Sequence, residues 1–175
     1  MQYVLLNLIL LILFETYCYL MPFNHILVPF DTSKLSTKAL EKAIELSTVN
    51  QSPISVLHVI NEIPLPIHYS KIELKNNQVT ISPLVNKLHN EIKNEMIVIM
   101  EDVKDTYAKH NVSITTAIKI GDPAEIIIDF TKQNNIDLIV MGSIGHKGIS
   151  GMFRKLGSVA RKVAEEVDCA LLIVR

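Results

Sequence analysis

"IDLIVMGSIGHKGISGMFRKLGSVARKVAEEV", residues Ile136–Val167, combines three features that together indicate an α/β fold. It begins with a short apolar run, Ile136–Gly142, that is typical of a strand buried on both faces. Near its end Val159, Val163 and Val167 recur at helical spacing. Between the strand and the helix lies a loop that contains most of the five glycines in this stretch; the whole chain has only six.

The same alternation of strand and helix continues on the amino-terminal side and to the end of the chain. Further apolar runs predict strands at His25–Phe30, Ile54–Ile60, Val112–Ile120 and Ala170–Arg175. Helical patterns with capping residues are predicted at Asp31–Ser47, Leu84–His110, Pro123–Asn135 and Ser158–Val167. Near-continuous apolar strands that alternate with helices favour a parallel sheet covered by helices on both faces.

The region between the second and third predicted strands is expected to contain an irregular loop and then a long amphipathic helix. The segment Asn61–Pro83 has no sustained period, which predicts a long irregular loop. The helix after it carries an apolar stripe that is expected to pack on the sheet, formed by Val85, Leu88, Ile92, Met96, Ile99, Val103 and Tyr107.

Composition limits the class of protein. The 175 residues suit one domain, and 17 basic against 18 acidic residues give a net charge of -1, which does not favour a nucleic-acid partner. Cys18 and Cys169 lie far apart and predict no disulfide framework, as expected in a reducing compartment. The six histidines occur singly and give little support for a metal site.

The first twenty residues are apolar from Tyr3 to Phe14 and then reach Glu15. Three interpretations of these residues stay open: they form a weak membrane anchor, they are a cleaved signal peptide, or translation truly starts at Met21. The run is short for a span and lacks the basic start and cleavage site of a signal peptide. We expect an apolar extension at 1–20, a domain at 21–175 and a cytoplasmic protein without a membrane anchor.

The glycine loop has two readings. It leaves the carboxyl end of a strand and leads to a helix that starts near Ser158, which is where parallel α/β sheets bind ligands and where helix amides suit phosphates. A glycine-rich surface turn is the alternative. A dinucleotide fingerprint is missing after the first strand, and no P-loop motif occurs, so neither nicotinamide chemistry nor P-loop hydrolysis is predicted.

Over Asn24–Arg175 the chain resembles the universal stress protein family. The resemblance is carried, in order, by "ILVPFDTS", "VLHVI", "GDPAEII", "DLIVMGSIG", "LGSVARKV" and "ALLIVR". It implies a doubly wound five-stranded parallel sheet, an adenine nucleotide alpha hydrolase-like, Rossmann-like three-layer sandwich. It also implies a homodimer joined through the last strands, and a division of the family into ATP-binding and non-binding members.

The binding members of the family share the signature G-x2-G-x9-G-[ST], which this chain matches at both ends. Gly142 and Gly145 match its first half, and Gly157 with Ser158 matches its last. Eleven residues separate Gly145 from Gly157, so the loop is two residues longer than the signature. Because loop insertions cost little when the ends are anchored, we expect both ends to keep their places.

The resemblance also implies individual roles in binding ATP, with or without Mg²⁺. Asp31 matches the acidic position near adenine and metal, with a helix cap as its alternative. Pro29 matches a residue that lines the base pocket, and the backbone of Val59 matches one that meets adenine. Met141 and Gly142 are expected beside the ribose and Gly145 beside the phosphates. The helix start is expected at Gly157, Ser158 and Val159.

The resemblance implies an ATP-binding stress-response sensor or regulator, with a protein partner that the sequence does not identify. No carboxylate or histidine can be given a catalytic role from its spacing, so at most weak ATP hydrolysis is expected. A dimeric adaptor that binds no nucleotide is the alternative if the longer loop closes the pocket.

Overall fold

A parallel sheet forms the centre of the computed structural model, which describes residues 23–62, 72–74, 77–79, 82–144 and 156–175. The apolar extension at 1–20 and Gly145 lie outside the described residues. The strands are β1 Ile26–Pro29, β2 Ile54–Ile60, β3 Ile72–Leu74, β4 Asn77–Val79, β5 Ile114–Ile120, β6 Leu138–Gly142 and β7 Ala170–Val174. The helices are α1 Lys34–Asn50, α2 Ser82–Tyr107, α3 Pro123–Gln133 and α4 Ser158–Glu166.

The strand order in the main sheet is β5-β2-β1-β6-β7, and every pair in it is parallel. In register, Val28 lies opposite Val56, and Met141 lies opposite Ile173. The chain moves outward from β1 in one direction and then returns to continue at β6 in the other. This is a doubly wound arrangement, as the sequence predicted, and it puts the reversal of strand order between β1 and β6.

Each face of the sheet has its own core because successive side chains of a strand point to opposite faces. On one face Val28 and Val56 are buried with Leu40 of α1 and Met100 of α2. On the other face the core is formed by Leu27 of β1, Leu57 of β2, Ile127 of α3, Ile139 of β6 and Val163 of α4. Full burial of one such side chain contributes about 1.5–3 kcal/mol, so the two layers hold the strand ends in a fixed frame.

The region before and within α2 differs from the sequence prediction. β3 and β4 pair as an antiparallel hairpin inside the segment predicted to be an irregular loop. Strands of three residues are too short to give a recognisable alternating pattern. The predicted stripe of α2 is also partly wrong, because Leu88 is 43% exposed and Ile99 38% exposed, whereas Met100 is buried.

The buried face of α2 is set by Met96, Met100, Val103 and Tyr107, which follow one another at spacings of four, three and four residues. This spacing keeps one face of the helix on the sheet and turns Ile99 to its edge. Met100 is long and unbranched, which suits the irregular space between helix and sheet.

The amino-terminal edge of the sheet is closed by the carboxylate of Asp137. It accepts hydrogen bonds from the backbone N–H of Asn24 at 2.6 Å and of His25 at 3.0 Å, and from the side chain of Asn24 at 2.9 Å. These bonds join the residues before β1 to the start of β6. Within the described part of the chain, no helix has the length and apolar character needed to cross a bilayer.

Candidate functional site

The backbone ladder between β1 and β6 ends before the carboxyl ends of these strands, where the strand order reverses. Their register consists of Ile26 opposite Leu138 and Leu27 opposite Ile139, and it stops there. Pro29, the last residue of β1, has no N–H with which to continue this ladder. In such sheets ligands usually bind in a crevice beyond the carboxyl ends of the strands where the strand order reverses, and the half-buried Pro29 lies at this place between β1 and β6.

Asp31 lies in a tight turn between β1 and α1. One oxygen of its carboxylate accepts the backbone N–H of Ser33 at 3.1 Å, and Ser33 caps α1 by accepting the N–H of Ser36 at 3.2 Å. Thr32 between them has a φ of 64°, a left-handed conformation that is unusual for a β-branched residue. Strained backbone of this kind concentrates at functional sites, because it fixes neighbouring groups in one direction.

The backbone of Val59 extends past the end of β1. The Phe30 N–H donates to the Leu57 carbonyl at 2.8 Å, which is the last backbone bond between these two chain segments. Because backbone groups of a strand alternate in direction, those of Val59 face the same side as those of Leu57. They lie beyond Pro29, at the crevice, while the half-buried Val59 side chain packs on the second core.

At the end of β6 the two predicted residues have strong structural roles of their own. Met141 is 5% exposed and belongs to the second core. A Cβ on Gly142 would lie 2.9 Å from the Leu35 Cβ and 3.1 Å from the Leu35 carbonyl carbon. Glycine is therefore required at 142 because the first turn of α1 packs directly against the strand.

Both ends of the glycine loop are held together by backbone hydrogen bonds. The N–H of buried Ser143 donates to the Val174 carbonyl at 2.8 Å, and the Ser143 carbonyl accepts the Gly157 N–H, also at 2.8 Å. The start of α4 is thereby fixed beside the end of β6. Gly145, which lies between these ends, is not among the described residues, so its predicted phosphate contact stays a prediction.

The amino terminus of α4 differs from those of α1 and α3. Ser33 caps α1, and Asp122 caps α3 by accepting the N–H groups of Ala124 and Glu125. At α4 the cap is Gly157, which has no side-chain hydrogen bond, and the exposed Ser158 follows it. Helix N–H groups without an intrahelical partner carry a partial positive charge that suits an anion.

An ion pair fixes α4 against the first turn of α3. Lys162 Nζ lies 3.0 Å from Glu125 Oε1 and 3.9 Å from Asp122 Oδ1. The hydrogen bond to Glu125 is the main reason that the pKa of Lys162 is raised. Because these side chains are exposed, the pair orients the helix but adds little to stability.

A protein-only metal site is not formed by the described residues. They contain no group of three or more His, Cys, Asp or Glu side chains arranged to hold an ion. A metal at Asp31 would take its other ligands from water and from a bound phosphate, which is how Mg²⁺ is commonly held.

The predicted residues that the structure describes thus lie along one edge. Pro29 ends β1 and Asp31 follows it, Val59 is next to the last residue of β2, and Met141 and Gly142 end β6. Gly157 caps α4, and Ser158 and Val159 begin it. Two further residues were not foreseen as part of this edge, Thr32 and Ser143. No local sequence signal marks the left-handed conformation of Thr32. Ser143 directly follows a predicted strand, but its hydrogen bond to the distant Gly157, which closes the loop, could not be read from the local sequence.

Known proteins are similar to this chain in sequence and in architecture. A sequence model described as the universal stress protein family matches residues 22–175. Universal stress protein YxiE of Bacillus subtilis is 35% identical over 153 residues, which cover 87% of this chain and 99% of that protein. The structure of universal stress protein UspA from Lactobacillus plantarum has a TM-score of 0.73 at 23% identity and covers 89% of this chain and 99% of that one.

Two solved structures of this fold were determined with adenine nucleotides. One is a universal stress protein in complex with cAMP, with a TM-score of 0.61 at 18% identity, covering 89% of this chain and 98% of that one. The other is the universal stress protein from Archaeoglobus fulgidus in complex with dAMP, with a TM-score of 0.58 at 18% identity, covering 89% of this chain and 100% of that one.

Proposed function

Because this chain belongs to the universal stress protein family, we propose that it binds ATP at the carboxyl edge of its sheet and acts as a cytoplasmic, nucleotide-dependent sensor of stress. The relatives solved with dAMP and cAMP support an adenine nucleotide as the ligand class. The crevice between β1 and β6 and the start of α4 supply the two halves of the site, one for the base and one for the phosphates.

The observation that carries this proposal is the geometry of Gly157. Its φ is -60°, so the backbone does not require glycine. An added Cβ would lie 3.4 Å from the Ser143 carbonyl oxygen, an ordinary contact, so packing against the described residues does not require glycine either. A ligand that approaches the start of α4 does account for it, because phosphate oxygens must reach the backbone N–H groups there.

The phosphate contacts proposed here come from the backbone N–H groups of Ser158 and Val159 and from the Ser158 hydroxyl. The Gly157 N–H is already bonded to Ser143, so Gly157 contributes space rather than a donor. Gly145 would complete the phosphate contacts from the loop. The positive end of the α4 dipole adds an attraction of about 0.3–1 kcal/mol for a nearby negative group.

At the other half of the site, the Val59 backbone would pair with the adenine edge while Pro29 packs on the base. Met141 and Gly142 would border the ribose. Asp31 would contact the base or sugar and hold Mg²⁺ together with phosphate oxygens. The turn at Thr32 and Ser33 orients the Asp31 carboxylate for this task.

Assembly as a homodimer is the second part of the proposal. β7 lies at an edge of the main sheet, and Leu172 on it is 37% exposed. An exposed apolar residue on an edge strand favours association with a second copy. We infer that β7 strands of two copies meet.

Native mass spectrometry of freshly purified protein tests both parts together. The expected spectrum contains a dimer that carries adenine nucleotide, and its nucleotide is lost after denaturation. A dimer without nucleotide, to which added ATP does not bind, would favour the adaptor that binds none. A monomer that binds ATP would overturn the dimer alone.

A matched pair of charge substitutions tests the dimer surface. Leu172→Lys puts a charge on the edge strand and is expected to shift the protein toward monomer in sedimentation velocity. Val49→Lys changes a side chain on α1 that is 64% exposed, and it should leave the dimer intact. An unchanged dimer in Leu172→Lys would contradict association through β7.

A further inference from the structure

His58 lies directly beyond the end of the ladder between β1 and β2. Its Nδ1 lies 2.7 Å from the Phe30 carbonyl oxygen, one residue beyond the end of β1. The half-buried His58 side chain shares a sheet face with Val56, while its own backbone pairs with Ile118 of β5. A side chain of β2 therefore bonds a backbone acceptor just beyond the end of β1.

The acceptor that His58 contacts is the one that the next ladder bond would use. In a parallel ladder, a residue whose N–H donates to one partner accepts, through its carbonyl, from the N–H two residues further along. Phe30 donates to Leu57, so its carbonyl would accept the N–H of Val59. The register ends instead with Pro29 opposite Leu57, before that bond is made.

We propose that His58 is a positioning residue for adenine recognition, because its Nδ1–H occupies the Phe30 carbonyl and leaves the Val59 N–H for the base. This inference rests on the proposed nucleotide site. The adenine edge offers a ring nitrogen acceptor beside an amino donor. The N–H and carbonyl of Val59, which face the same side, match that pair of groups.

The hydrogen bond also holds the turn that follows. Phe30 is bonded to β2 twice, through its N–H to Leu57 and through its carbonyl to His58. Asp31 comes next and is held by the N–H of Ser33. His58 therefore fixes the distance between the Val59 backbone and Asp31, the two groups proposed to meet the nucleoside.

Two variants separate this role from simple packing. His58→Leu removes the donor, so the Phe30 carbonyl is expected to take the Val59 N–H. His58→Asn keeps an N–H donor near the position of Nδ1 and is expected to behave like the unchanged protein. Thermal unfolding of all three forms reports whether each is folded.

Hydrogen exchange of the Val59 amide, measured by NMR without nucleotide, gives the first result. We expect exchange at least about tenfold slower in His58→Leu than in the unchanged protein and in His58→Asn, because the amide gains a partner. Equal exchange in the three proteins overturns the proposal. This result does not depend on ATP, so it stands even if the protein binds no nucleotide and the proposed function fails.

Calorimetry gives the second result. Loss of one hydrogen bond to the base corresponds to an affinity for ATP about tenfold lower in His58→Leu, restored in His58→Asn, with less preference for ATP over GTP. Equal ATP affinity in the unchanged protein and His58→Leu overturns the proposal.

The ring itself provides a measurement that needs no variant. Nitrogen NMR of the unchanged protein should show His58 with its proton on Nδ1, as a donor to a carbonyl requires. A neutral ring with the proton only on Nε2 would contradict the proposed bond.

Discussion

The Gly157 N–H donates a 2.8 Å hydrogen bond to the Ser143 carbonyl, and this bond brings the start of α4 to the end of β6. The two residues are the ends of the glycine loop. The two residues that exceed the family signature fall between these ends. Loop closure entropy changes only slightly with two added residues, so the longer loop is compatible with an intact phosphate end of the site.

Gly142 and Gly157 provide a matched test of which glycine the fold itself requires. Gly142→Ala should destabilise the protein by about 1–3 kcal/mol, since the new methyl group meets Leu35 at 2.9 Å. Gly157→Ala should cost at most about 1 kcal/mol, since its methyl group has room among the described residues and φ is ordinary, so that only the poorer capping by alanine remains. Urea unfolding checks both, and equal destabilisation by the two changes would contradict this distinction.

Ser55 is predicted to stabilise the amino-terminal half of the sheet through a buried polar contact. Its hydroxyl lies 2.9 Å from His25 Nε2 and 3.0 Å from Thr115 Oγ1, so it joins β2 to β5 and to the residue before β1. Ser55→Ala leaves these groups without their shared partner and should cost about 1–3 kcal/mol.

A double-mutant cycle identifies the source of that cost. Thr115→Val combined with Ser55→Ala should be less destabilising than the sum of the two single changes, as coupled partners require. Additive free energies of unfolding would mean that the two hydroxyl groups act independently.

Asp137 is predicted to give the protein an acid-sensitive stability. Burial alone would raise its pKa, but the hydrogen bonds from Asn24 and His25 outweigh burial, and the pKa is lowered from 3.8. A carboxylate with a lowered pKa in the folded state stabilises the protein above the ordinary value. That contribution is lost as the pH falls through the lowered value.

Asp137→Asn should therefore be clearly destabilised at pH 7, and its difference from the unchanged protein should shrink below about pH 4. Urea unfolding at several pH values measures this difference. Asp129→Asn, a change of an exposed aspartate on α3, serves as the control and should have little effect throughout. A difference for Asp137→Asn that stays constant down to pH 3 would contradict the role given to this carboxylate.

The sheet could be predicted from the sequence because both of its faces are covered. Runs such as Ile54–Ile60 are apolar at five of seven positions, and the predicted limits of that strand agree with the structure. The helix starts at Pro123 and Ser158 were predicted as well, since a proline or a cap residue marks them. Once the strands and helices are located in the sequence, the carboxyl ends of the strands are known. The edge of the sheet on which the candidate site lies could therefore be predicted as well.

Other features depend on contacts that no local pattern reveals. The left-handed Thr32 is fixed by its neighbours Asp31 and Ser33, although its side chain disfavours that conformation. The exposure of Ile99 and the burial of Met100 depend on how α2 rotates on the sheet. Glycine is required at position 142 because Leu35, which is distant in sequence, leaves no room for a Cβ there.

Calorimetric titration of ATP into the unchanged protein and into Gly157→Val tests the central claim most directly. Val49→Lys is the control, because its exposed side chain lies on α1, away from the site. We predict ATP binding in the unchanged protein and in Val49→Lys. Gly157→Val should remain folded by circular dichroism and show no measurable binding, because its side chain blocks the approach of phosphate to the start of α4. Unchanged ATP affinity in folded Gly157→Val, or no ATP binding by the unchanged protein, would contradict the account.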